Sequence, residues 1–477
     1  MGSRRRFLLL DPPATVARCR RGSLREKGNA QAAPFPSIDL ILLSGAVREA
    51  GFDPVFVDAQ LDDLSWPSLT RRLQDTELAG LVSLVSSANV DAELVELRKL
   101  KDALGGVPVY VVSTIILQLD SGSVERIMQA NPWLDGMILN PAEHNFSDLI
   151  RPDAGGVAKS FNVAVQGLDG PIVPDVTASH GNCHRMPRPE HAIFKDRRYY
   201  FPQSRNGPVT CVQMSFGCPF TCEFCVDNQL HHKMLTRDVD DVIEELIEVD
   251  RLGFREFYFK DLTFGLKKVI AEDLLTAMVK NRLRFRWLCT TRIDVLTPDL
   301  LVLMKRAGCY GVELGVEHPR ESVRQRIGKR VSKERIKRVF DECRRLGIET
   351  TAFVMLAFED DTDEDVRDTI RFAKHLNPNY VSFNVVNALP GTPYFQRARR
   401  EGFLRTDKSD YGFATSNIKH KHLTPEQVEQ LRLEAVRSFY LRPSSILKRV
   451  AGLRNLFALR KLLRLGMGVF RRVEPCT

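Results

Sequence analysis

The chain has 477 residues, 43% of them hydrophobic and 27% charged, with a formal net charge of +9. That length exceeds one ordinary core, so two or three domains are expected, and no apolar run reaches the roughly 18 residues of a membrane-spanning helix. The apolar stretch Phe7-Leu8-Leu9-Leu10 is too short for a signal peptide, so a cytoplasmic location is expected, and the basic residues are spread until the carboxy terminus, which argues against a nucleic-acid partner.

Phe7 to Leu10 reads as a strand closed by Asp11-Pro12-Pro13, and Ile38 to Ala50 carries apolar residues at helical spacing before Gly51. Val55 to Val57, Leu81 to Val85, Val107 to Val112 and Gly136 to Leu139 read as further strands. Ser68 to Gln74, Ala92 to Leu104 and Val124 to Ala130 read as helices between them. This alternation predicts an α/β fold whose amino-terminal part, residues 1–150, is a doubly wound, mainly parallel sheet. Residues 151–207 lose the rhythm and scatter Pro171, Pro174, Pro187, Pro189, Pro202 and Pro208, the composition of a linker.

A second series of strands begins at Val209 to Met214 and continues with Glu256 to Phe259, Phe285 to Thr290, Gly311 to Gly315, Thr350 to Leu356 and Tyr380 to Val386. Thr297-Pro298 and Thr424-Pro425 each place a capping oxygen before a first-turn proline, and Gln427 stands at capping-box spacing from Thr424. Six strand and helix units over residues 208–400 predict a partial (β/α)6 barrel, with its chemistry where strands end. Residues 401–477 read as a helical carboxy-terminal region.

Ten cysteines are too few for a disulfide scaffold, yet Cys218, Cys222 and Cys225 cluster immediately after the first strand of this second series. Thiolates at this C-x3-C-x2-C spacing can ligate three irons of a [4Fe-4S] cluster and leave the fourth open. The competing chemistry is a structural zinc site, which closes with four ligands and would draw on Cys211 or His231.

With these cysteines in place, Val209 to Glu401 resembles the radical S-adenosylmethionine superfamily. Asp261, in Phe259-Lys260-Asp261-Leu262-Thr263-Phe264, is similar to the acidic position that lies near the methionyl amino group in that family. Arg292 and Asp294 resemble its third-strand motif. Gly315-Val316-Glu317 resembles its fourth-strand motif, whose carboxylate faces the nucleoside. Phe224, inside the cysteine motif, is a cofactor-binding position by the same resemblance, and Pro390-Gly391-Thr392-Pro393 is similar to the turn that closes the last barrel strand. One departure stands out: Ala357-Phe358-Glu359-Asp360-Asp361 occupies the place of the family's Gly-Leu-Pro-Gly turn, which leaves no basis for a backbone contact to the cofactor there.

A doubly wound sheet ahead of such a barrel resembles the cobalamin-binding branch of the superfamily, which holds the cobalamin-dependent methyltransferases and the anaerobic magnesium-protoporphyrin ester cyclases. Leu10-Asp11-Pro12-Pro13, Val57-Asp58-Ala59 and Ser438-Phe439-Tyr440-Leu441-Arg442-Pro443 carry this second likeness. No Asp in the chain is followed two residues later by His, so the branch's D-x-H-x-x-G cobalt ligand is missing. Loops around Pro12, Ser86, Ser113, Thr114 and Asn140, at the carboxyl ends of strands, would face the corrin.

The resemblance implies three cofactors, namely a [4Fe-4S] cluster, S-adenosylmethionine and cobalamin, and an electron donor such as flavodoxin or ferredoxin. The expected reaction is methylation of an unactivated carbon, or phosphorus, of a specialised metabolite through methylcobalamin and a 5′-deoxyadenosyl radical. The same motifs serve radical oxidation or cyclisation, and a non-enzymatic iron-sulfur protein would leave the barrel unused. At the carboxy terminus, Arg442 to Arg472 alternates basic residues with leucines at helical steps. Such a segment suits either an anionic membrane surface, within reach of a lipid or isoprenoid substrate, or a last helix packed on the barrel.

Overall fold

The computed structural model describes residues 5–13, 34–86, 90–112, 122–140, 145–152, 162–174, 186–201, 203–204, 207–227, 234–405, 415–443 and 445–447. Ser113, Thr114, His231 and the segment 448–477 lie outside the described residues.

The amino-terminal part alternates β1 (Arg6–Asp11), α1 (Ile38–Glu49), β2 (Asp53–Asp58), α2 (Trp66–Leu73), β3 (Leu78–Leu84), α3 (Val90–Ala103), β4 (Val109–Val112), α4 (Ser123–Ala130), β5 (Gly136–Ile138) and α5 (Asn145–Ile150). Its strands run in the order β2-β1-β3-β4-β5, all parallel. The order reverses at β1, so a crevice opens at the carboxyl ends of β1 and β3. Alternation along β1 serves both faces. Leu8 and Leu10 pack with Leu69, Leu97 and Met128 on one side, and Phe7 and Leu9 pack with Leu40, Ile41 and Phe146 on the other.

The region read as a linker is not simply one. β6 (Val163–Gly167) and β7 (Gly170–Ile172) extend the same sheet beyond β5 as an antiparallel hairpin, making it seven-stranded. Pro171 sits in the edge strand β7, the one kind of strand that tolerates a residue without an amide donor. Further on, a 3-10 turn at His191–Phe194 buries His191 and Phe194 between the two halves of the chain.

The second part contains β8 (Val209–Val212), the short antiparallel pair β9 (Ser215–Phe216) and β10 (Leu235–Thr236), and then the rest of the barrel. In chain order these are α6 (Val239–Arg251), β11 (Glu256–Phe259), α7 (Lys268–Lys280), β12 (Arg286–Thr291), α8 (Pro298–Arg306), β13 (Cys309–Glu317), α9 (Glu321–Arg326), α10 (Lys333–Arg345), β14 (Glu349–Leu356), α11 (Asp363–Leu376), β15 (Tyr380–Val385), α12 (Pro393–Arg400) and α13 (Pro425–Tyr440). Six parallel strands stand in the order β8-β11-β12-β13-β14-β15, the partial barrel expected. The anticipated caps are present: Thr297 accepts from Leu300 N, and Thr424 with Gln427 closes a capping box.

Outward-facing Phe257, Phe259, Trp287, Cys289, Val312 and Val354 pack under the helices in one large core. Inward-facing Val209, Cys211, Tyr258, Leu288 and Tyr310 instead share a core with β1 and α1 of the first part. The amino-terminal sheet therefore backs onto the open side of the barrel through continuous apolar packing. The Phe439-Tyr440 pair anchors α13 to the last strand: Tyr440 Oη donates to Val381 O at 2.8 Å and the Phe439 ring lies 6.3 Å from that of Phe383, while the Arg442 guanidinium covers the Phe439 ring at 4.1 Å. Among the described residues no helix is long and apolar enough to cross a membrane.

Candidate active site at the barrel mouth

The cysteine loop leaves the carboxyl end of β8 and is held at its root by Asp261, two residues beyond β11. Asp261 is buried, accepts from Met214 N at 2.9 Å and takes a short hydrogen bond from Ser215 Oγ. Burial pushes its carboxyl up to about 6, against the opposing pull of those donors. Each oxygen accepts one hydrogen bond from the loop, so the residue expected beside a methionyl amino group also ties that loop to the barrel.

The three thiols have different surroundings. Cys218 Sγ lies 3.7 Å from Thr263 Oγ1, Cys225 Sγ lies 3.8 Å from Asp227 Oδ2, and Cys222 Sγ receives Arg292 Nη1 at 3.3 Å. Burial raises the Cys222 thiol, while the cations of Lys329 and Arg292 oppose that rise. Among the described residues no three His, Cys, Asp or Glu side chains converge as a metal-ligating group. The donor set nonetheless suits a cluster better than zinc. Three sulfur donors share one loop with cations beside the central one, whereas Cys211, one of the two candidate fourth zinc ligands, is buried against Pro36 O at 3.6 Å in the interdomain core.

Arg292 leaves β12 and spans the loop. Its guanidinium stacks 3.6 Å over the Phe220 ring and is held bidentately by Asp294 at 2.9 and 2.7 Å. On β13 the register against β14 slips between Gly315 and Glu317, a bulge that re-aims the strand's last side chain. Glu317 is buried at φ 62° and pairs with Lys329 Nζ at 2.9 Å. A Cβ at position 315 would meet both the Glu317 carboxylate and the Lys329 ammonium, so any side chain there displaces the tips of that ion pair. Lys329 had no sequence signal of its own beyond following Gly328. Phe224 packs against the cluster of Met355, Phe358 and Tyr394.

Below this mouth the inward faces carry a polar layer that the sequence did not disclose. Tyr258 Oη donates to Glu313 Oε2 at 2.5 Å and lies 2.6 Å from Thr290 Oγ1, while Gln203 Nε2 reaches Glu313 Oε1 at 3.1 Å and Thr351 Oγ1 at 2.8 Å. Burial and the Glu313 charge hold the Tyr258 phenol well above its ordinary range, so it remains a donor. Lys260 Nζ sits 4.5 Å from the Tyr258 ring centre and 5.2 Å from that of Phe35, which precedes α1. Lys260, Thr290, Glu313, Phe353 and Asn384 are half-buried.

At the rim of that sheet, the positions expected to face a corrin are partly occupied within the protein. Pro12 is buried, Ser86 N donates to Glu93 Oε2 at 2.6 Å, and the Asn140 carbonyl accepts from Asn162 Nδ2 at 2.7 Å. Nearby, Tyr199 Oη donates to Asp58 Oδ2 at 2.6 Å and Gln60 Nε2 to Asp11 Oδ1 at 3.1 Å, closing the ends of β1 and β2.

Residues 212–373 match the family model described as the Radical SAM superfamily. An uncharacterized methyltransferase of Pyrococcus horikoshii is 26% identical over 424 residues, 87% of this chain and 89% of that protein. The anaerobic magnesium-protoporphyrin IX monomethyl ester cyclase of Cereibacter sphaeroides is 25% identical over 427 residues, 86% of this chain and 68% of the cyclase. Among solved structures, the radical S-adenosylmethionine methyltransferase TsrM from Kitasatospora setae, with cobalamin and a [4Fe-4S] cluster bound, matches with a TM-score of 0.67 at 16% identity, covering 98% of this chain and 99% of that one. The cobalamin-dependent S-adenosylmethionine radical enzyme OxsB matches with a TM-score of 0.68 at 14% identity over 98% of this chain and 72% of its own.

Proposed function

We propose that this chain, a radical SAM protein by its residues 212–373, is a cobalamin-dependent radical S-adenosylmethionine methyltransferase acting on an unactivated carbon, or phosphorus, of a polar small molecule. The observation that carries the reading is one arrangement. A loop with three cysteines, flanked by Arg292 and Lys329, stands at the mouth of a partial barrel whose open side is covered by a doubly wound sheet.

When bound, the cluster and S-adenosylmethionine would supply hydrogen-atom abstraction, and cobalamin a transferable methyl group. The chain's own residues do the rest. Cys218, Cys222 and Cys225 would hold three irons, and Asp261 fixes the root of their loop through Met214 and Ser215. Glu317, held by Lys329, would orient the nucleoside. The Tyr258–Glu313–Thr290 group and Lys260 present hydrogen-bonding and charged atoms to a substrate in the lumen, while the shared apolar core beneath them excludes water. A polar lining of this kind favours a substrate with polar groups over a purely hydrocarbon lipid or isoprenoid. Reduction would come from a flavodoxin or ferredoxin.

The test is to incubate the reconstituted protein with methyl-labelled S-adenosylmethionine and a reductant, and to separate the products. S-adenosylhomocysteine together with 5′-deoxyadenosine supports methyl transfer. 5′-Deoxyadenosine alone supports oxidative cyclisation, the activity named for the Cereibacter relative. Neither product refutes both.

A further inference from the structure

We infer that Arg397 is a positioning residue for the cysteine loop, acting through Glu223 as the central cation of a brace from Glu223 to Glu359. The inference rests on the reading of that loop as cluster-binding.

Glu223 stands between Cys222 and Cys225, and its amide, carbonyl and carboxylate are each held by chain from the second half of the barrel. Its amide donates to Ile327 O at 3.1 Å, its carbonyl accepts from Tyr394 N at 3.0 Å, and its Oε1 accepts from Arg397 Nε at 2.7 Å. Tyr394 lies in the first turn of α12, where backbone amides have no partner within the helix, so the loop carbonyl satisfies a donor the helix cannot. Gly328 closes the same contact from the other side, with φ 78° and no room for a Cβ between it and Thr221 O.

The far end of the brace is Glu359, in the turn that departs from the family pattern. It is 3% exposed. Its Oε2 accepts from Tyr394 Oη at 2.8 Å, and its Oε1 meets Arg397 Nη1 at 2.7 Å and Arg326 Nη2 at 3.2 Å. Arg397 therefore sits between two carboxylates, one in the cysteine loop and one after β14, with the Tyr394 and Phe403 rings 4.9 and 5.2 Å from its guanidinium carbon. Docking α12 onto the barrel would need only its apolar residues. A cation shared between the buried Glu359 and the half-buried Glu223 adds something else, because it neutralises a negative charge located between two cluster ligands. Removing it would leave that charge uncompensated in a low-dielectric setting, and outer-shell charge of this kind bears on both the potential and the retention of a metal group.

The experiment uses the full-length, anaerobically reconstituted protein with Arg397→Gln, Arg397→Lys, Glu223→Gln and the Arg397→Gln/Glu223→Gln double variant. Two quantities are read: the cluster midpoint potential, by redox titration followed by electron paramagnetic resonance, and the rate of iron loss to a ferrous chelator. Arg397→Gln is expected to lower the potential and to speed iron loss about tenfold, whereas Arg397→Lys leaves the potential in place. Adding Glu223→Gln to Arg397→Gln is expected to bring the potential back towards that of the unmodified protein, because the uncompensated charge is gone. Iron loss should stay fast, because the brace is still cut. An unchanged potential in Arg397→Gln, or a shift that persists in the double variant, overturns the inference. Should Arg397→Gln not fold, Glu223→Gln alone is expected to raise the potential, and no change there is equally fatal. If the unmodified protein itself takes up no cluster, the reading of the loop fails instead.

Discussion

Arg292 Nη1 lies 3.3 Å from Cys222 Sγ while Asp294 grips the other two nitrogens of the guanidinium. The charge next to the sulfur is therefore fixed in place. Burial already raises the Cys222 thiol, and Arg292 is one of two cations opposing it. In cluster-free protein, Arg292→Gln should push that thiol higher and slow its alkylation near pH 8 by about threefold to tenfold, through loss of thiolate. Mass-spectrometric rates of iodoacetamide labelling at each cysteine check this, and equal rates at Cys222 in both proteins would contradict it.

Asp261 gives a pH dependence with a definite sign. Its carboxyl is raised from 3.8 to about 6, chiefly by burial, so between those values the folded state holds a proton the unfolded chain has released. Stability contributed by this group therefore falls as pH rises from about 4 to about 6 and is flat above. A shift of that size corresponds to about 3 kcal/mol at most. Asp261→Asn cannot ionise, so urea unfolding of the cluster-free variant should lose this part of the pH dependence. Parallel stability curves for the two proteins from pH 4.5 to 7 would count against it.

Much of this site was legible in the sequence, for a physical reason. The cysteine spacing, the Gly315-Val316-Glu317 motif and the Thr424 cap are local, and neighbouring residues carry them, although the bulge within that motif was not read from the sequence. The strands were legible too, because those of the barrel bury alternate residues in two different cores. What stayed hidden is long-range. Glu223 and Arg397 are 174 residues apart, and Tyr258 and Glu313 are 55 apart. No periodicity encodes such pairs. The β6–β7 hairpin was missed because glycine and proline dominate its turn and edge, where an edge strand tolerates what a central one does not.

A side chain at Gly315 is expected to disturb the Glu317–Lys329 pair. In Gly315→Ala the new methyl would meet the Glu317 carboxylate and the Lys329 ammonium, and the ion pair must move. Overpacking of this kind costs ~1–3 kcal/mol, to be read as a lowered urea midpoint. Displacing Glu317 should in addition weaken binding of S-adenosylmethionine about tenfold, equivalent to ~1.4 kcal/mol. Equilibrium dialysis of the reconstituted variant measures it. Unchanged affinity with lowered stability would detach Glu317 from the nucleoside.

Cobalamin added to the protein should bind without a histidine below the cobalt, since no Asp in the chain is followed two residues later by His. The electron paramagnetic resonance spectrum of the bound cob(II)alamin form is expected to lack nitrogen superhyperfine splitting from a lower ligand. Splitting from a nitrogen, or no binding, would each reject the expectation in a different way.

The 3-10 turn at His191–Phe194 is joined to the first strand and helix of the barrel by a buried charge network whose loss should be costly. His191, from the 3-10 turn of the supposed linker, lies 2.9 Å from Thr210 Oγ1 on β8 and 2.9 Å from Glu245 Oε1 on α6. Glu245 Oε2 meets Arg237 Nη1 at 2.6 Å, and Arg237 also donates through Nη1 to Gln213 O at 3.0 Å, just ahead of the cysteine loop. Burial alone would raise the Glu245 carboxyl, but Arg237 and His191 outweigh it and hold the group down to about 2. A carboxylate lowered in this way stabilises the fold fully above its ordinary value of 4.5, and that contribution is lost progressively as pH falls from there to about 2. Glu245→Gln leaves Arg237 with Asp241 as its remaining carboxylate, at 2.7 Å, so the loss should sit at the low end of the range for a broken buried pair, about 3 kcal/mol. Urea unfolding at pH 7 measures it, and a change below about 0.5 kcal/mol, the scatter typical of surface substitutions, would mean that apolar packing alone holds the turn to the barrel.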